Sequence, residues 1–339
     1  MEIIDLYKRL RANGVLGLNW RNAEFQLVHN QRKFFPLVDD KLKSKRLALD
    51  AGIEVPELFG VIEYPHEVRT FDTIVQGRAD FVVKPAEGSG GDGILVVMGR
   101  EGENFRLANG SIMTPDEMRF HINNILAGTF SLGGQPDKAL IEYRIRFDPV
   151  FDRIAFQGVP DIRIIVFYGV PVMAMTRLPT EESSGKANLH QGAIGAGIDM
   201  TTGKTLNAVW HDRIITQHPD TGAPVSGVQI PHWDRLLHHA ARSFELTSLG
   251  YQGIDMVLDS ERGPVMLELN ARPGLSIQIA NGEGLGLRLS KIEDVLRTAP
   301  QRLESAEDRV RFTKDNFAPR PVAISPATDA VPDTGQDTA

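Results

Sequence analysis

The spacing of apolar residues predicts a helix at the start of the chain. Residues 3–10 place apolar side chains every three or four positions, as an amphipathic helix does, and Gly14 ends the pattern. The apolar positions are Ile3, Leu6, Tyr7 and Leu10. We therefore expect a short amphipathic helix before the main body of the protein.

End signals predict three further helices. Asp39 is a candidate cap for an apolar pattern that stops at Gly52. Thr114 and Glu117 have the spacing of a capping box before a second apolar pattern. Pro231 begins a third and longer one.

Strand patterns lie between these helices. Residues 81–83 form a short apolar run, and residues 161–168 partly alternate between apolar and polar positions. Residues 169–171 then turn the chain into a second strand at 172–177. Hairpins separated by helices predict α+β lobes rather than a doubly wound parallel sheet.

Composition narrows the class of protein. The 339 residues are 42% apolar and 24% charged, as in a globular protein, and include no cysteine. Disulfides, thiol nucleophiles and cysteine metal sites are therefore excluded. A net charge of −7 does not favour a nucleic-acid partner. No apolar stretch reaches the roughly 20 residues of a membrane span. We expect a cytoplasmic protein that does not insert into membranes.

A glycine-rich loop follows the apolar strand at 81–83. Lys84 comes directly after that strand, and the loop contains Gly88, Ser89, Gly90, Gly91 and Gly93. Backbone N–H groups in such a loop approach phosphate oxygens closely, and a lysine supplies a counter-charge. The lysine precedes the glycines, so this is not a Walker A sequence. The loop indicates either a phosphate site or a mobile hairpin tip.

Residues 253–274 have the pattern of two strands joined by a turn. If the turn at 260–263 has an even length, Asp255 lies directly opposite Glu268, and Asn270 shares a face with Glu268. Opposed carboxylates destabilise a strand pair by about 0.2–1 kcal/mol unless something neutralises them. Oxygen ligands of this kind suit Mg²⁺ or Mn²⁺. We expect a metal site here; a solvated polar face, or an odd-length bulged turn at Gly263 that separates the acids, is the alternative.

Eight segments, in this order, resemble the ATP-grasp fold, and more closely the RimK-type alpha-L-glutamate ligases. They are 40–44 (DKLKS), 83–85 (VKP) with its glycine loop, 142–143 (EY), 161–163 (DIR), Arg177, 188–190 (NLH), Asp255 and 268–275 (ELNARPGL). The resemblance covers about residues 39–289. It implies an α+β ATP-grasp fold, in which two lobes clasp ATP, with a shortened N-terminal domain.

The resemblance also divides the chain. Residues 1–38 stand where the family has a full domain before the ATP-grasp unit, and residues 39–315 form that catalytic unit, with a hinge near 142–144. The proline-rich residues 316–339 are expected to form a disordered tail. Either residues 17–22 (GLNWRN) line that edge of the substrate groove, or a partner protein or a second copy of the chain supplies the missing N-terminal surface.

The resemblance implies ATP as the nucleotide. Its binding residues would be Lys41, Lys84, Gly88, Ser89, Gly90, Gly91, Gly93, Glu142, Tyr143, Asp161, Lys186 and Asn188. The two lysines would contact phosphates beneath the glycine loop, and Glu142 and Tyr143 would lie at the adenine–ribose hinge.

The resemblance also implies which residues act in the reaction. Arg163 and Arg177 would face the transferring phosphoryl group, and Asp255, Glu268 and Asn270 would hold two Mg²⁺ ions. The implied reaction is ATP-driven amide formation through an acyl phosphate, which needs alignment and charge neutralisation rather than a covalent protein intermediate.

Several substrate assignments stay open. The leading interpretation is a ligase that adds glutamate or another amino acid to a peptide or small acidic acceptor. An ATP-binding subunit without ligase activity, or a phosphotransferase, is the alternative.

Residues 144–160 are longer and richer in arginine than the family's segment, which indicates either a surface insertion or a loop that clamps substrate carboxylates. Arg272 could likewise meet a substrate carboxylate or pair locally.

Overall fold

The computed structural model describes residues 2–88, 90–211 and 213–319. The helices are α1 (Glu2–Ala12), α2 (Leu18–Trp20), α3 (Leu27–His29), α4 (Pro36–Asp39), α5 (Lys41–Asp50), α6 (Phe71–Ile74), α7 (Pro115–Leu126), α8 (Trp233–Thr247), α9 (Ile277–Asn281), α10 (Leu285–Thr298) and α11 (Ala306–Asn316). A π-helix spans Arg21–Gln26, and 3₁₀ turns span Arg32–Phe34, Pro65–Thr70, Leu132–Gly134, Pro149–Phe151, Leu189–Gln191 and Pro300–Leu303.

The strands fall into two groups along the chain. The first six are β1 (Leu58–Ile62), β2 (Phe81–Pro85), β3 (Leu95–Glu101), β4 (Asn104–Leu107), β5 (Ile112–Met113) and β6 (Ala139–Glu142). The others are β7 (Asp161–Phe167), β8 (Val170–Leu178), β9 (Ile194–Ile198), β10 (Thr205–Trp210), β11 (Arg213–Ile215), β12 (Tyr251–Asp259) and β13 (Gly263–Asn270).

The first sheet has the strand order β1-β6-β2-β3-β4-β5 and its own apolar core. Phe71, Phe81 and Phe105 meet edge to face with ring centroids 5.6–5.9 Å apart. Helix α7 packs against this sheet and buries the apolar side of its 3.6-residue pattern.

The second sheet has the order β11-β10-β9-β8-β7-β12-β13. Every residue of β7 and β12 is buried, because helices α8 to α11 pack against this sheet. All pairings in both sheets are antiparallel. The predicted α+β lobes and the β7–β8 hairpin are therefore confirmed for the described residues.

Residues before α4 are tied to the second sheet. The backbone N–H of Leu16 donates to Oε1 of Gln278 at 2.8 Å, and Nε2 of Gln278 donates back to the carbonyl of Leu16 at 3.0 Å. The side chain of Asn30 pairs with both backbone groups of Tyr251, at 2.6 and 2.9 Å, as a neighbouring strand would. This segment therefore packs beside β12 and the chain that follows β13.

Three helix starts test the predicted end signals. The capping box of Thr114 and Glu117 is confirmed. The cap before α5 is Asp40 rather than Asp39, since Asp40 accepts the backbone N–H groups of Leu42 and Lys43 while Asp39 ends α4. Helix α8 begins two residues after Pro231, so that prediction was slightly early.

The predicted tail was wrong at its first residues. Asn316 ends α11, and Phe317 is only 2% exposed. The ring of Phe317 packs against Phe312, with centroids 5.7 Å apart, and beneath the guanidinium of Arg288. One large apolar residue among prolines gives a weak sequence signal, yet α10 and α11 bury it. Residues 320–339 lie outside the described residues.

Within the ranges given above, none of the helices is both long and apolar enough to cross a bilayer.

Replacing Phe317 with Ala tests whether this residue belongs to the folded core. We expect Phe317→Ala to lower the free energy of unfolding by about 3–5 kcal/mol, because it removes a buried aromatic ring. Denaturant unfolding measures the change. Phe120→Ala is the control, since that ring is 68% exposed on α7 and its loss should change stability by less than about 0.5 kcal/mol. Equal effects for the two variants would contradict the assignment.

Candidate active site between the two sheets

The glycine loop, residues 88–93, joins β2 to β3 and is held at both ends. At its start, the buried carboxylate of Asp137 accepts the backbone N–H of Glu87 at 3.0 Å. At its end, Nε2 of His121 lies 2.9 Å from the carbonyl oxygen of Gly93. Because a carbonyl only accepts, His121 carries a proton on Nε2 in this contact. Neither Asp137 nor His121 carried a sequence signal for this role.

Gly93 shows why the loop needs glycine. Its φ is 75°, and a Cβ there would lie 2.5 Å from the ring of Phe130. Gly90 and Gly91 also have positive φ angles. Ser89, the remaining predicted contact in this loop, lies outside the described residues.

Lys41 connects the glycine loop to the second sheet. It begins α5, and its Nζ lies 2.5 Å from the carbonyl oxygen of Gly88 and 3.6 Å from Oε2 of Glu268. One ammonium group therefore lies between the loop predicted to bind phosphate and a carboxylate predicted to bind metal. The sequence predicted each of these groups separately, and the structure brings them together.

Glu142, at the end of β6, is the anion of a buried cluster in the first sheet. Its carboxylate forms ion pairs with Lys84 of β2 and with Lys45 of α5, the latter at 2.7 Å. Glu142 is paired with Val82, two residues before Lys84, so the two charged side chains are diagonal neighbours on one face. The role of Lys84 toward phosphate stays a prediction.

The pKa values in this cluster follow from burial and pairing. Burial alone would raise the pKa of Glu142, but Lys84 and Lys45 outweigh it and hold that pKa below its ordinary value. Burial lowers the pKa of Lys45 to about 8 despite the carboxylate beside it. Sequence reasoning missed Lys45, although it follows Lys41 by four residues and so lies one helical turn away.

Tyr143 marks the predicted hinge. Its backbone N–H donates to the carbonyl of Glu57 at 2.8 Å, and the guanidinium of Arg262 lies 4.3 Å from its ring centroid. Arg262 in turn binds the carboxylate of Glu57 at 2.8 Å. The segment after β6 is thus joined to the β12–β13 turn, which places Tyr143 where the two sheets connect.

A row of charges crosses one face of the second sheet. Register pairs Asp161 with Arg177, Arg163 with Asp255, and Asp255 with Glu268. Nε and Nη2 of Arg163 donate to the two oxygens of Asp255 at 2.7 and 2.5 Å. Nε and Nη2 of Arg177 donate to Asp161, and the same Nη2 reaches Asp255 at 2.8 Å.

Burial shapes the charge state of this row. Burial disfavours the charged form of Asp255, but Arg163 and Arg177 outweigh it, so the pKa of Asp255 lies well below its usual range. Burial is also the main cause that raises the pKa of Asp161, and Arg177 only partly offsets it. Arg163 and Arg177 thus perform the neutralisation that we had predicted for a divalent cation.

The predicted opposition of Asp255 and Glu268 is confirmed, by a different route from the one expected. The turn has an odd length, because Asp259 pairs with Gly263. A bulge at Leu267 then shifts the register by one residue and restores the pairing of Asp255 with Glu268. The turn therefore has the odd length that was weighed as the alternative, but the bulge keeps the two acids opposite each other instead of separating them.

The side-chain oxygens near the end of β13 are of the chemical type that binds a hard cation. Glu268 is partly exposed, with Lys41 as its cationic neighbour, and Asn270 Oδ1 accepts the backbone N–H of Arg272 at 2.9 Å. The oxygens of Asp255 are bound by arginines, yet a carboxylate has about four lone-pair sites and can accept further contacts. Carboxylate and amide oxygens suit Mg²⁺. Among the described residues, no group of three or more acidic, histidine or cysteine side chains is arranged so that it could hold a metal ion.

Lys186 and Asn188 lie in the loop between β8 and β9. Nζ of Lys186 is 3.3 Å from the carboxylate of Asp92 in the glycine loop. Asn188 caps the turn that follows, since its Oδ1 accepts the backbone N–H of His190 at 3.0 Å. The loop at residues 179–193 therefore reaches the glycine loop, whereas contacts of Lys186 and Asn188 with nucleotide stay predictions.

Two of the arginines of residues 144–160, Arg144 and Arg146, have local partners. Arg144 binds Asp80 at 2.8 Å, and Arg146 binds Glu261 at 2.7 Å. The backbone N–H of Arg146 donates to the side chain of Asp259. These ion pairs favour the interpretation of this segment as a surface insertion, because both guanidinium groups already bind carboxylates of the chain itself. Arg272, by contrast, stacks over Phe35 at 4.9 Å.

Two antiparallel sheets, with Lys41 lying between a glycine loop of the first and a row of paired charges on the second, define an ATP-grasp protein. The chain belongs to the sugar-transfer associated ATP-grasp family, whose model matches residues 20–294. The predicted fold class and the resemblance to RimK-type proteins are thereby confirmed.

Curated relatives include two probable alpha-L-glutamate ligases. The protein of Thioalkalivibrio sulfidiphilus is 26% identical over 251 residues, which cover 74% of this chain and 61% of that protein. The protein of Maridesulfovibrio salexigens is 24% identical over 238 residues, which cover 70% and 56%. The chain thus spans about three fifths of the length of the curated relatives it matches.

Solved structures with a similar fold include two ligases. The ATP-grasp ligase PsnB, complexed with a minimal precursor, has a TM-score of 0.42 at 15% identity, covering 79% of this chain and 63% of that one. The D-alanine–D-alanine ligase from Bacillus anthracis has a TM-score of 0.43 at 17% identity, covering 84% and 72%.

Glu142→Gln tests the buried cluster of the first sheet. It leaves two buried ammonium groups without their anion, so we expect a loss of about 3–5 kcal/mol of unfolding free energy at neutral pH. Because the pKa of Glu142 is lowered on folding, its stabilisation is present above pH 4.5 and is lost as the pH falls further. Unfolding measured from pH 5 to 3 should therefore show a shallower loss in the variant than in the unsubstituted protein.

The control for this variant is Glu63→Gln. Glu63 pairs with Lys138 at 3.2 Å on the surface, and that pair should contribute less than about 1 kcal/mol. If both substitutions cost the same, Glu142 does not act as the counter-ion of a buried cluster.

Proposed function

We propose that this chain is an ATP-dependent ligase that joins a substrate carboxylate to an amine through an acyl phosphate. Membership of an ATP-grasp family supports this activity, as does the name of the curated relatives, probable alpha-L-glutamate ligase. The observation that carries the proposal is the position of Lys41, whose Nζ contacts both the glycine loop and Glu268.

In the first step, a carboxylate oxygen of the acid substrate attacks the γ-phosphorus of ATP. The bond from that phosphorus to the bridging oxygen breaks, and ADP leaves. Negative charge on the transferred group needs fixed donors. Arg163 and Arg177 supply them: each uses Nε and Nη2 for aspartates, and among the described residues Nη1 of each has no partner.

In the second step, the amine attacks the acyl carbon, inorganic phosphate leaves, and the nitrogen loses a proton. Water must be kept from the acyl phosphate during this step. The glycine loop can do so because Asp137 and His121 fix its two ends while Lys186 holds Asp92, the residue before Gly93.

Asp255, Glu268 and Asn270 would hold Mg²⁺, as one or two ions, with Mn²⁺ as the alternative. The ion would neutralise phosphate charge and polarise the γ-phosphoryl group. Lys41, Lys84 and the loop at 88–93 would bind the phosphates, and Glu142, Tyr143, Asp161, Lys186 and Asn188 would complete the nucleotide site.

Glutamate, or another amino acid, is the substrate that we propose, with a peptide or small acidic molecule as the second substrate. The name of the curated relatives supports glutamate. The family's description as sugar-transfer associated favours a second candidate, in which an amino sugar supplies the amine.

A substrate panel tests the class of reaction. Purified protein with Mg²⁺ and ATP is given amino acids, acidic peptides and amino sugars, singly and in pairs. We expect ADP and phosphate only when a carboxylate and an amine are both present, because the acyl phosphate forms only on the acid and turns over only with the amine. ADP with a phosphorylated acceptor would indicate a phosphotransferase. ATP binding without turnover would indicate a nucleotide-binding subunit and contradict the ligase.

Glu268→Gln tests the proposed metal ligand. Turnover should fall by about 10²–10³-fold, whereas the free energy of unfolding should change little because Glu268 is partly exposed. Asp255→Asn is a poorer probe, since it would also leave two buried guanidinium groups without an anion. Glu261→Gln, in the turn of the same hairpin, is the matched control and should keep full turnover. Full turnover in Glu268→Gln would remove Glu268 from the site.

A further inference from the structure

Arg272 lies at the edge of the candidate site and has no acidic partner there. It follows Asn270 by two residues, and its backbone N–H donates to Oδ1 of Asn270 at 2.9 Å. Its side chain is exposed, and its guanidinium stacks over the ring of Phe35, 4.9 Å from the centroid. Among the described residues, no carboxylate forms an ion pair with it. Of the two roles weighed from the sequence, local pairing with an acid is therefore absent from the described chain.

Stacking on Phe35 orients the guanidinium of Arg272 before any ligand binds. The N–H groups of a guanidinium form a rigid fork that matches the two oxygens of a carboxylate. A side chain that already lies flat on an aromatic ring loses less conformational freedom when it binds such a ligand. Phe35 is itself fixed, because it directly precedes α4, which packs against β13.

Arg21 places a second positive charge next to Arg272. It is 6% exposed, and its Nε and Nη1 donate to neutral oxygens, Oδ1 of Asn22 and the carbonyl of Pro273, each at 2.7 Å. No carboxylate of the described chain pairs with it. Beside it, the buried hydroxyl of Tyr251 has no hydrogen-bond partner among the described residues. Because a buried charge without a counter-ion is destabilising, these groups favour a bound anion.

Pro273 lies on the face of the second sheet that carries the row of charges. Alternation along β12 puts Gly253 on the same face as Asp255. A Cβ added to Gly253 would lie 2.9 Å from Cβ of Pro273. Two strand residues span about 7 Å, which separates this point from Asp255. Gly274 faces open space, since a Cβ there would have no atom within 4 Å. A small ligand beside Gly274 is therefore within reach of the candidate phosphoryl-transfer residues.

The segment that packs beside Arg272 carries an excess of positive charge. Residues 17–35 contain three bases, Arg21, Arg32 and Lys33, against one acid, Glu24. The chain as a whole has a net charge of −7. A basic surface in an acidic protein attracts anionic ligands to that one place.

We propose that Arg272, supported by Arg21, binds a substrate carboxylate that the reaction does not consume. The inference rests on the proposed ligase function and defines its substrate class as a small dicarboxylate such as L-glutamate. Arg272 touches the ligand, whereas Phe35 and Arg21 are positioning residues. Residues 17–35 and 271–274 then form one wall of the substrate site.

Binding of matched ligands tests the proposal. L-Glutamate is compared with its two monoamides, L-glutamine and L-isoglutamine, by titration calorimetry of the full chain with ADP and Mg²⁺ present. Each monoamide has the size of L-glutamate but lacks one of its carboxylates. We expect L-glutamate to bind about 10–100-fold more tightly than at least one monoamide, and Arg272→Gln to remove that preference. The monoamide that binds weakly identifies the carboxylate that Arg272 holds.

Further variants separate ligand binding from structural support. Arg272→Lys keeps the charge but loses the planar fork, so it should retain only part of the preference. Arg272→Glu should reverse it, because like charges repel. Arg302→Gln is the matched control, since Arg302 is also exposed and stacked over a phenylalanine, Phe312, at 5.9 Å. Affinity for ADP and the thermal unfolding midpoint should stay unchanged in every variant, because both arginines are exposed.

Three results would overturn the inference. They are equal affinity of the unsubstituted protein for L-glutamate and both monoamides, a preference that survives Arg272→Gln, and a loss of ADP affinity in Arg272→Gln as large as the loss of glutamate affinity. The last would make Arg272 a support of the fold. Failure of the proposed function looks different: a chain that keeps the preference but shows no turnover in the substrate panel has this binding site and is not a ligase.

Discussion

The buried carboxylate of Asp255 is the constraint on which the candidate site depends. It is 1% exposed in a strand that is buried along its whole length, and an unpaired charge there would be strongly destabilising. Arg163 from β7 and Arg177 from β8 both bind this carboxylate. Charged side chains from three strands therefore neutralise one another. The register of β12 with β13 places Glu268 beside Asp255, and the register of β7 with β8 places Asp161 beside Arg177. Every other candidate group in the second sheet takes its position from this arrangement.

The first sheet uses the same device, with lysines in place of the arginines. There, one buried carboxylate, Glu142, holds two lysines from different elements, β2 and α5. The helix that carries Lys45 also carries Lys41, four residues earlier. The two charge clusters are thus connected through one helix, because Lys41 points toward Glu268 while Lys45 points toward Glu142. A rigid α5 fixes the distance between the two halves of the candidate site.

Local patterns in the sequence predicted those features of the fold that depend on residues close together in the chain. Alternation placed Asp161 and Arg163 on one face, and pairing arithmetic placed Asp255 opposite Glu268. Contacts between distant segments had no such signal. The ammonium of Lys45 is buried where β6 ends beside α5, and Phe317 is buried where Arg288 of α10 lies over its ring. Asp137 fixes the glycine loop from a position 50 residues away, which no spacing rule anticipates.

The bulge at Leu267 divides the last hairpin into two parts with different tolerance to change in length. Between the bulge and the turn, the paired residues of β12 and β13 are offset by one position from the pairs that include Asp255 and Glu268. Residues 260–262 can therefore be lengthened or shortened by insertion and deletion while the carboxylates keep their side of the sheet. Deleting the single residue 267 would remove the bulge and make the pairing regular, with Glu268 still opposite Asp255. Among homologous sequences, gaps should gather at the turn and at position 267, and be absent from residues 268–270.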